Sequence, residues 1–310
     1  MNSRKFLIVI LIAAVIVVAG CTSESNRTAK ISDSDGILIN EFSADPVRAN
    51  ADERVQFLLD FENTGGTTAT NIRANIYGAE SWLTPVVQKT FSTLAPPDIT
   101  LQPPGPGGFK IVQWELQPNN PGEGVVDPQI ITARVRYNYK TMSVANIPIY
   151  TVAEYRRRNQ ISSPIDFVTV SNAKAPVQIE IAPIESMQID TTDDETTFSK
   201  TIRFINAGSG VPIGAVAGVE TDGVITGTVK LSGPAEFSEC LGATSGNTVT
   251  ITPGDVKIRR AESDRRICTI RLDKSKFGAS NPMATVKLTF DLDYDYYVEE
   301  SVTVSIVGQK

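Results

Sequence analysis

The amino-acid sequence predicts an all-β protein with two tandem antiparallel β-sandwiches behind an apolar N-terminal segment. After residue 20, apolar and polar residues alternate along much of the chain, and helical periodicity is almost absent. Gly, Pro and Asn divide the alternating runs into short strands. A chain of 310 residues also exceeds one ordinary domain, so two sandwiches of about 100–150 residues each fit its length.

Each of the clearest strands has one apolar and one polar face, which is typical of antiparallel sheets with one side in water. In the last of them, Val286, Leu288 and Phe290 alternate with Lys287 and Thr289. The three clearest segments are 55–62, 131–139 and 286–294.

Two parts of the sequence recur, which indicates two copies of one fold. The motif F-x-N-x-G occurs at Phe61–Gly65 and again at Phe204–Gly208, each time closing an early strand. Residues 135–149 also resemble residues 290–304. We interpret each of these longer segments as a strand, a Tyr-rich turn and a final strand.

The repeat aligns Tyr139 with Tyr294 and sets the predicted domain boundaries. We place domain 1 at 37–152 and domain 2 at 176–308, with a linker at 153–175 between them.

A short helix is predicted where the linker begins, at 152–159. It carries Arg156, Arg157 and Arg158, which would face water, pair with the acidic partner domain or meet anionic headgroups.

The F-x-N-x-G motif, followed by alternating residues at 71–76, resembles the CARDB-type immunoglobulin-like domains of bacterial and archaeal surface proteins. The resemblance is closer in the first half, since the second departs from the pattern at Gly208–Gly210 and carries a long insertion up to Val229. It implies an immunoglobulin-like sandwich in each half, with the Asn-x-Gly as a turn between two early strands. The family is associated with adhesion, surface layers and stalks, and it has no catalytic residues to carry over.

The first 21 residues have the pattern of an export signal. Residues 1–5 are positively charged, and Phe6–Ala19 is an apolar run shorter than the about 20 residues that a membrane-spanning helix needs. The run ends in Val18–Cys21 (VAGC), which resembles a prokaryotic lipobox. That resemblance implies a lipoprotein signal peptide at 1–20 and lipidation of Cys21.

An uncleaved N-terminal anchor helix is the alternative to a lipid anchor. Both place the rest of the chain outside the cytoplasm, attached to the membrane at the cell surface. Residues 21–36 are polar and predict a flexible tether, with a glycosylation sequon at Asn26.

Cys240 and Cys268 remain as an even pair once Cys21 is lipidated. In an oxidising compartment we expect them to form a disulfide, which would stabilise the fold by roughly 3–4 kcal/mol on the loop-entropy model. Two buried free thiols are the alternative. The sequence has no CxxC pair and no His, so neither a redox nor a metal role is predicted.

The composition argues against several function classes. With 0 His residues, the chain has no imidazole for a catalytic triad or a metal site, and it lacks the Walker, GxGxxG and GxSxG motifs. Losing Arg4 and Lys5 with the signal takes the formal charge from −6 to −8, which repels nucleic acid. We therefore predict no enzyme activity, no cofactor, no bound metal and no nucleic-acid partner. A glycosidase-type carboxylate pair stays open, because its separation is a property of the fold.

Two acidic groups could be metal ligands or ordinary solvent-facing residues. Asp291, Asp293 and Asp295 share one strand face, and a second cluster occupies 190–195. Oxygen ligands of this kind suit Ca²⁺, although a wet strand shows the same spacing.

Trp82 and Trp114 sit among apolar neighbours and are predicted to be core residues rather than platforms for sugar rings. A proline-rich segment at 96–108 is interpreted as a stiff loop, with a partner-binding edge as the alternative.

The sequence thus favours a non-catalytic surface lipoprotein whose two modules serve adhesion, spacing or scaffolding. Its partner would be a protein or a component of the cell envelope. An accessory subunit of a pilus, surface layer or transporter is the alternative, and it would show an unpaired strand edge or apolar patch. A glycan- or solute-binding protein is a third possibility.

Overall fold

The structure of the protein is a computed structural model that describes residues 30–190, 192, 196–242, 245–259 and 261–310. The predicted signal peptide, Cys21 and the sequon at Asn26 lie outside these residues. In the described part strands dominate and the sheets are mainly antiparallel, which confirms the all-β prediction. None of the helices described there has the length and hydrophobicity that crossing a bilayer requires.

The described residues form twenty strands, one α-helix and one short 3-10 helix. Strands β1 to β10 are Ile37–Asp45, Arg48–Asn50, Val55–Asn63, Ala69–Tyr77, Lys89–Leu94, Phe109–Leu116, Val126–Thr151, Thr169–Asn172, Val177–Ala182 and Met187–Ile189. Strands β11 to β20 are Thr197–Asn206, Val211–Val216, Val219–Asp222, Thr226–Ser232, Ala235–Cys240, Thr248–Ile251, Ile258–Arg259, Glu262–Ser263, Arg266–Leu272 and Met283–Val307. Helix α1 is Val152–Gln160, and the 3-10 helix is Lys274–Lys276.

Three sheets build the fold. The first cover sheet has the strand order β1-β3-β6. The second cover sheet has the order β15-β19-β11-β18-β17, with β9 also paired to β11. The central sheet runs β13-β12-β20-β7-β4-β5 and also includes β2, β8, β10, β14 and β16.

The longest pair in the central sheet joins β7 and β20, which we call the central ribbon. Its antiparallel ladder runs from Met283 opposite Tyr150 to Val307 opposite Val126. The Tyr-rich turns expected inside these segments are absent, since each segment is one continuous strand. Apolar alternation continues through the middle of both strands, where no residue has the positive φ that a tight turn often requires.

Each strand of the central ribbon serves both halves of the chain. β7 pairs first with β4 of the first half and then, further along, with β8 and β10. β20 pairs first with β14 of the second half and ends beside β2 of the first. The two halves therefore exchange their long strands within one sheet.

One face of the central ribbon is buried beneath the two cover sheets. β1 lies against β20, and β9 lies against β7. In the second half, the rings of Phe204 and Phe290 join the cover sheet to the ribbon at 6.3 Å. Buried residues of both halves form one hydrophobic cluster.

We predict that the two halves unfold in one transition because they share the ribbon. Ile202 is fully buried in the second cover sheet, and Ile202→Ala should cost about 2–5 kcal/mol. Both tryptophans, Trp82 and Trp114, lie in the first half. In urea denaturation, their fluorescence midpoint should nevertheless fall together with the circular dichroism midpoint of the whole chain.

An unchanged tryptophan midpoint in Ile202→Ala would show instead that the first half unfolds on its own. The milder Ile202→Val, at about 0.5–1.5 kcal/mol, keeps the comparison possible if the alanine variant does not fold.

Candidate functional site

Four tyrosines lie together at the midpoint of the central ribbon. Tyr137 lies opposite Tyr296, and Tyr139 lies opposite Tyr294, all on the covered face. The rings are buried and contact one another, with centroids 5.7 Å apart for Tyr137 and Tyr139 and 5.8 Å apart for Tyr137 and Tyr296. We call this group the tyrosine cluster.

Each hydroxyl of the tyrosine cluster accepts a hydrogen bond from the backbone of the surrounding loops and strands. The first residues of β1 and β9 donate to Tyr137 and Tyr294, at 3.0 and 3.2 Å. The N–H groups of Thr67 and Gly210, which follow the two F-x-N-x-G motifs, donate to Tyr139 and Tyr296 at 3.1 and 2.9 Å. The structure thus makes Tyr139 equivalent to Tyr296, two residues beyond the alignment that the sequence suggested.

The asparagine of each motif closes its own loop. Asn63 Nδ2 donates to the Thr67 carbonyl at 2.8 Å, and Asn206 Nδ2 donates to the Gly210 carbonyl at 2.7 Å. A Cβ added at the motif glycine Gly65 would collide with the Tyr139 hydroxyl. The motif therefore needs glycine because a tyrosine of the ribbon approaches so closely.

Burial raises the pKa of Tyr137 well above its ordinary value. Burial likewise raises the pKa values of Tyr139, Tyr294 and Tyr296. All four hydroxyls therefore stay neutral at physiological pH. The tyrosine cluster holds the two halves together and offers no group for proton transfer near neutrality.

The end of the predicted tether, 21–36, makes defined contacts with both halves. The Ser32 N–H donates to the Thr64 carbonyl of the first half at 2.9 Å. Asp35 Oδ1 accepts from the Ser209 N–H of the second half, also at 2.9 Å. Residues 32–36 therefore run along the junction of the two halves.

The other face of the central ribbon is open to water and carries the predicted acidic row. Asp293 lies 3.5 Å from Lys140, and Asp295 lies 2.6 Å from Arg136. Asn138 also donates to Asp293 at 2.7 Å. Two of the three carboxylates therefore face cationic side chains on β7. Among the described residues, no group of three or more Asp, Glu, Cys or His converges as metal ligands would.

The second acidic cluster, 190–195, falls partly outside the described residues. Asp190 accepts hydrogen bonds from the backbone and the side chain of Thr192, which lower its pKa. This pattern is that of a local turn.

Two of the three arginines of helix α1 form ion pairs within the helix. Arg157 and Arg158 donate to the Glu154 carboxylate at 2.7 and 2.9 Å, which lowers the pKa of Glu154 to about 2. Arg158 also lies 5.0 Å from the centre of the Tyr150 ring. Arg156 is left exposed.

The tryptophans are core residues, as predicted. Trp82 and Trp114 are 5% and 4% exposed. Their ring N–H groups donate to the side chain of Gln129 and to the carbonyl of Val87. Neither indole is therefore a platform for a sugar ring.

Three arginines and two tyrosines stand together on the open face beside the acidic row, and we call them the arginine cluster. The Arg134 guanidinium lies 4.9 Å from the centre of the Tyr77 ring and 4.2 Å from that of Tyr297. Such spacing is favourable for a cation over an aromatic face. The remaining members are Arg73 and Arg136.

Carboxylates of the β20 side hold two of these arginines in place. Arg134 Nε donates to Glu299 at 2.7 Å, and Arg136 donates to Asp295 and Glu220. Burial lowers the pKa of both guanidinium groups, but these acidic partners raise it more, so the net shift is upward.

A small depression of about 100 Å³ lies at the arginine cluster. The sequence alone does not reveal this depression. Alternation along β7 already placed Arg134 and Arg136 on the polar face, but their neighbours come from β4 and β20, which are distant in sequence. The lining residues are Arg73, Asn75, Tyr77, Gln88, Arg134, Arg136, Ile213, Glu220 and Tyr297.

Comparison with protein families and with curated proteins gives no match. Among solved structures, the collagen adhesin from S. aureus is similar over 91% of this chain and 96% of that chain, at 7% identity and a TM-score of 0.13. A TM-score this low carries no argument about fold or function. The functional case therefore rests on the residues of this chain.

A disulfide joins Cys240 and Cys268 in the second cover sheet, as the sequence predicts. The two residues lie opposite each other on β15 and β19, and both are fully buried. The bridge ties the edge strand β15 to the strand beside it.

We predict that the bridge contributes roughly 3–4 kcal/mol, because it closes 28 residues. The double variant Cys240→Ala/Cys268→Ala should lose that much unfolding free energy in urea denaturation. Dithiothreitol should destabilise the wild-type protein by a similar amount and leave the double variant unchanged. Equal stability of the two proteins without reductant would contradict the prediction.

Proposed function

We propose that this chain is a non-catalytic, lipid-anchored scaffold at the cell surface, built from two immunoglobulin-like sandwiches. The observation that carries the proposal is the ladder between β7 and β20. Its 25 residue pairs correspond to about 85 Å of extended strand, and they cross both halves without interruption. Such a ribbon joins two modules with no flexible linker between them.

The covered face of the ribbon supports its role as a rigid frame. Each cover sheet packs on one half of the same ribbon, and the buried side chains of both halves form one cluster. Bending the molecule between its halves would disturb the tyrosine cluster and the loops bonded to it. A rigid body with separate surfaces on each half suits a scaffold better than a flexible stalk.

The immunoglobulin-like assignment is based on the F-x-N-x-G motifs and on the packing of each cover sheet against one half of the central sheet. The proposed anchor draws on the apolar run and the Val18–Cys21 motif. Residues 32–36 contact both halves at the junction. A lipid on Cys21, nine residues before Lys30, would hold the molecule near its middle, at most about 30 Å away.

The anchor can be tested by intact mass on protein purified from the membranes of its native host. We expect the mass of residues 21–310 plus lipid, because two acyl chains give stable membrane attachment. Cys21→Ala should lose the lipid mass and remain unprocessed. Cys240→Ala is the control and should keep the lipid. An unlipidated full-length mass in the wild-type protein would favour an uncleaved anchor helix.

An accessory subunit of an envelope assembly is the second candidate, and one strand edge favours it. Within the described residues, β6 pairs with β3 alone and its outward-facing Ile111 is 55% exposed. At the other edge of that sheet, β1 has a register shift between Ile39 and Glu41. Bulges protect edges from pairing, and β6 has no register shift in its ladder with β3.

We predict that this edge mediates association if the chain is an assembly subunit. Ile111→Lys places a charge beside the open edge and should weaken self-association in sedimentation velocity by about tenfold or more. Ile130→Lys changes an isoleucine that is 67% exposed on the open face of the ribbon and should have no effect. A wild-type chain that stays monomeric at all concentrations would argue against self-assembly through β6.

A further inference from the structure

Two arginines of the arginine cluster face each other directly in the central sheet. Arg73 on β4 lies opposite Arg136 on β7. Like charges at directly opposed positions destabilise a sheet. Arg136 is balanced by Asp295 and Glu220, whereas Arg73 is exposed and makes no ion pair among the described residues. The fold therefore keeps an unfavourable charge that its own side chains do not neutralise.

The charges at this place are also segregated. All three carboxylates that bond to the cluster, on Glu220, Asp295 and Glu299, lie toward the β20 and β13 side. On the β4 side, Arg73 has no carboxylate partner among the described residues. An anion approaching from that side meets an exposed positive side chain.

We propose that the arginine cluster binds an acidic polysaccharide, with a carboxylate or sulfate of one sugar paired to Arg73. The amides of Asn75 and Gln88 line the same depression and would bond to sugar hydroxyls. Tyr77 is 39% exposed, so part of its ring remains free to pack against the apolar face of a sugar. Together these groups supply charge, hydrogen bonds and an apolar surface.

The shape of the site favours a polymer over a small enclosed ligand. The depression holds only about 100 Å³, whereas small-molecule sites are clefts of about 300–1,000 Å³ that bury most of their ligand. Nucleic acid is disfavoured because it is bound by several basic side chains that each neutralise a phosphate, whereas two of the three arginines here already pair with carboxylates. An acidic polysaccharide can place one carboxylate or sulfate at Arg73 while its uncharged hydroxyl groups face Asn75 and Gln88.

This binding goes beyond the scaffold function and does not depend on the lipid anchor, so either can fail without the other. The test uses the full-length chain in non-ionic detergent and isothermal titration at low and physiological salt. The probes are polygalacturonate, which is carboxylated, dextran sulfate, which is sulfated, and neutral dextran.

We expect at least one acidic polymer to bind and neutral dextran not to bind. Arg73→Gln should weaken binding about tenfold or more, since it removes one charge-assisted contact. Its thermal midpoint should stay the same or rise, because the variant relieves the repulsion with Arg136. That combination separates a binding role from a structural one, which would lower the midpoint.

Arg203→Gln is the matched control. Arg203 lies on the second cover sheet between Glu180 and Glu262, so it is a cross-strand arginine away from the depression. Its loss should leave binding unchanged. The proposal is overturned if neither acidic polymer binds, if neutral dextran binds equally well, or if both arginine variants weaken binding to the same extent.

Discussion

The antiparallel pairing of β7 with β20 is the constraint on which the rest of the structure depends. Each half of the chain supplies one long strand, and each strand completes the inner sheet of both halves. The buried residues near the end of β20, such as Val304 and Ile306, belong by sequence to the second half but pack in the first. Neither half can therefore bury its apolar face without the other.

The tyrosine cluster shows how the ribbon fixes the loops around it. The ladder has an internal pseudo-twofold symmetry centred where Asn138 lies opposite Asp295. On one side of that centre Tyr137 lies opposite Tyr296, and on the other Tyr139 lies opposite Tyr294. Each hydroxyl accepts a hydrogen bond from a backbone N–H of its own half. The symmetry relates Tyr137 to Tyr294 and Tyr139 to Tyr296.

The sequence predicted the parts of the fold that depend on local pattern. Alternation located the strands, two recurring F-x-N-x-G motifs located the loops at the ribbon, and the even pair of Cys240 and Cys268 indicated the disulfide. It did not predict that β7 and β20 are continuous, because one long strand and two strands joined by a turn show the same alternation. The contacts of Arg134 with Tyr77 and Tyr297 could not be predicted either, since both tyrosines lie on strands that are distant in sequence from β7.

On the open face of the ribbon, ion binding depends more on which charged side chains already have partners than on how many charges are present. The acidic row on β20 would suit a cation by composition, but Asp293 and Asp295 already face Lys140 and Arg136. A divalent ion would have to displace these ion pairs before it could bind. Arg73 has no such partner among the described residues and stands opposite another arginine. Anion binding would therefore relieve a repulsion, whereas cation binding would first have to break favourable contacts.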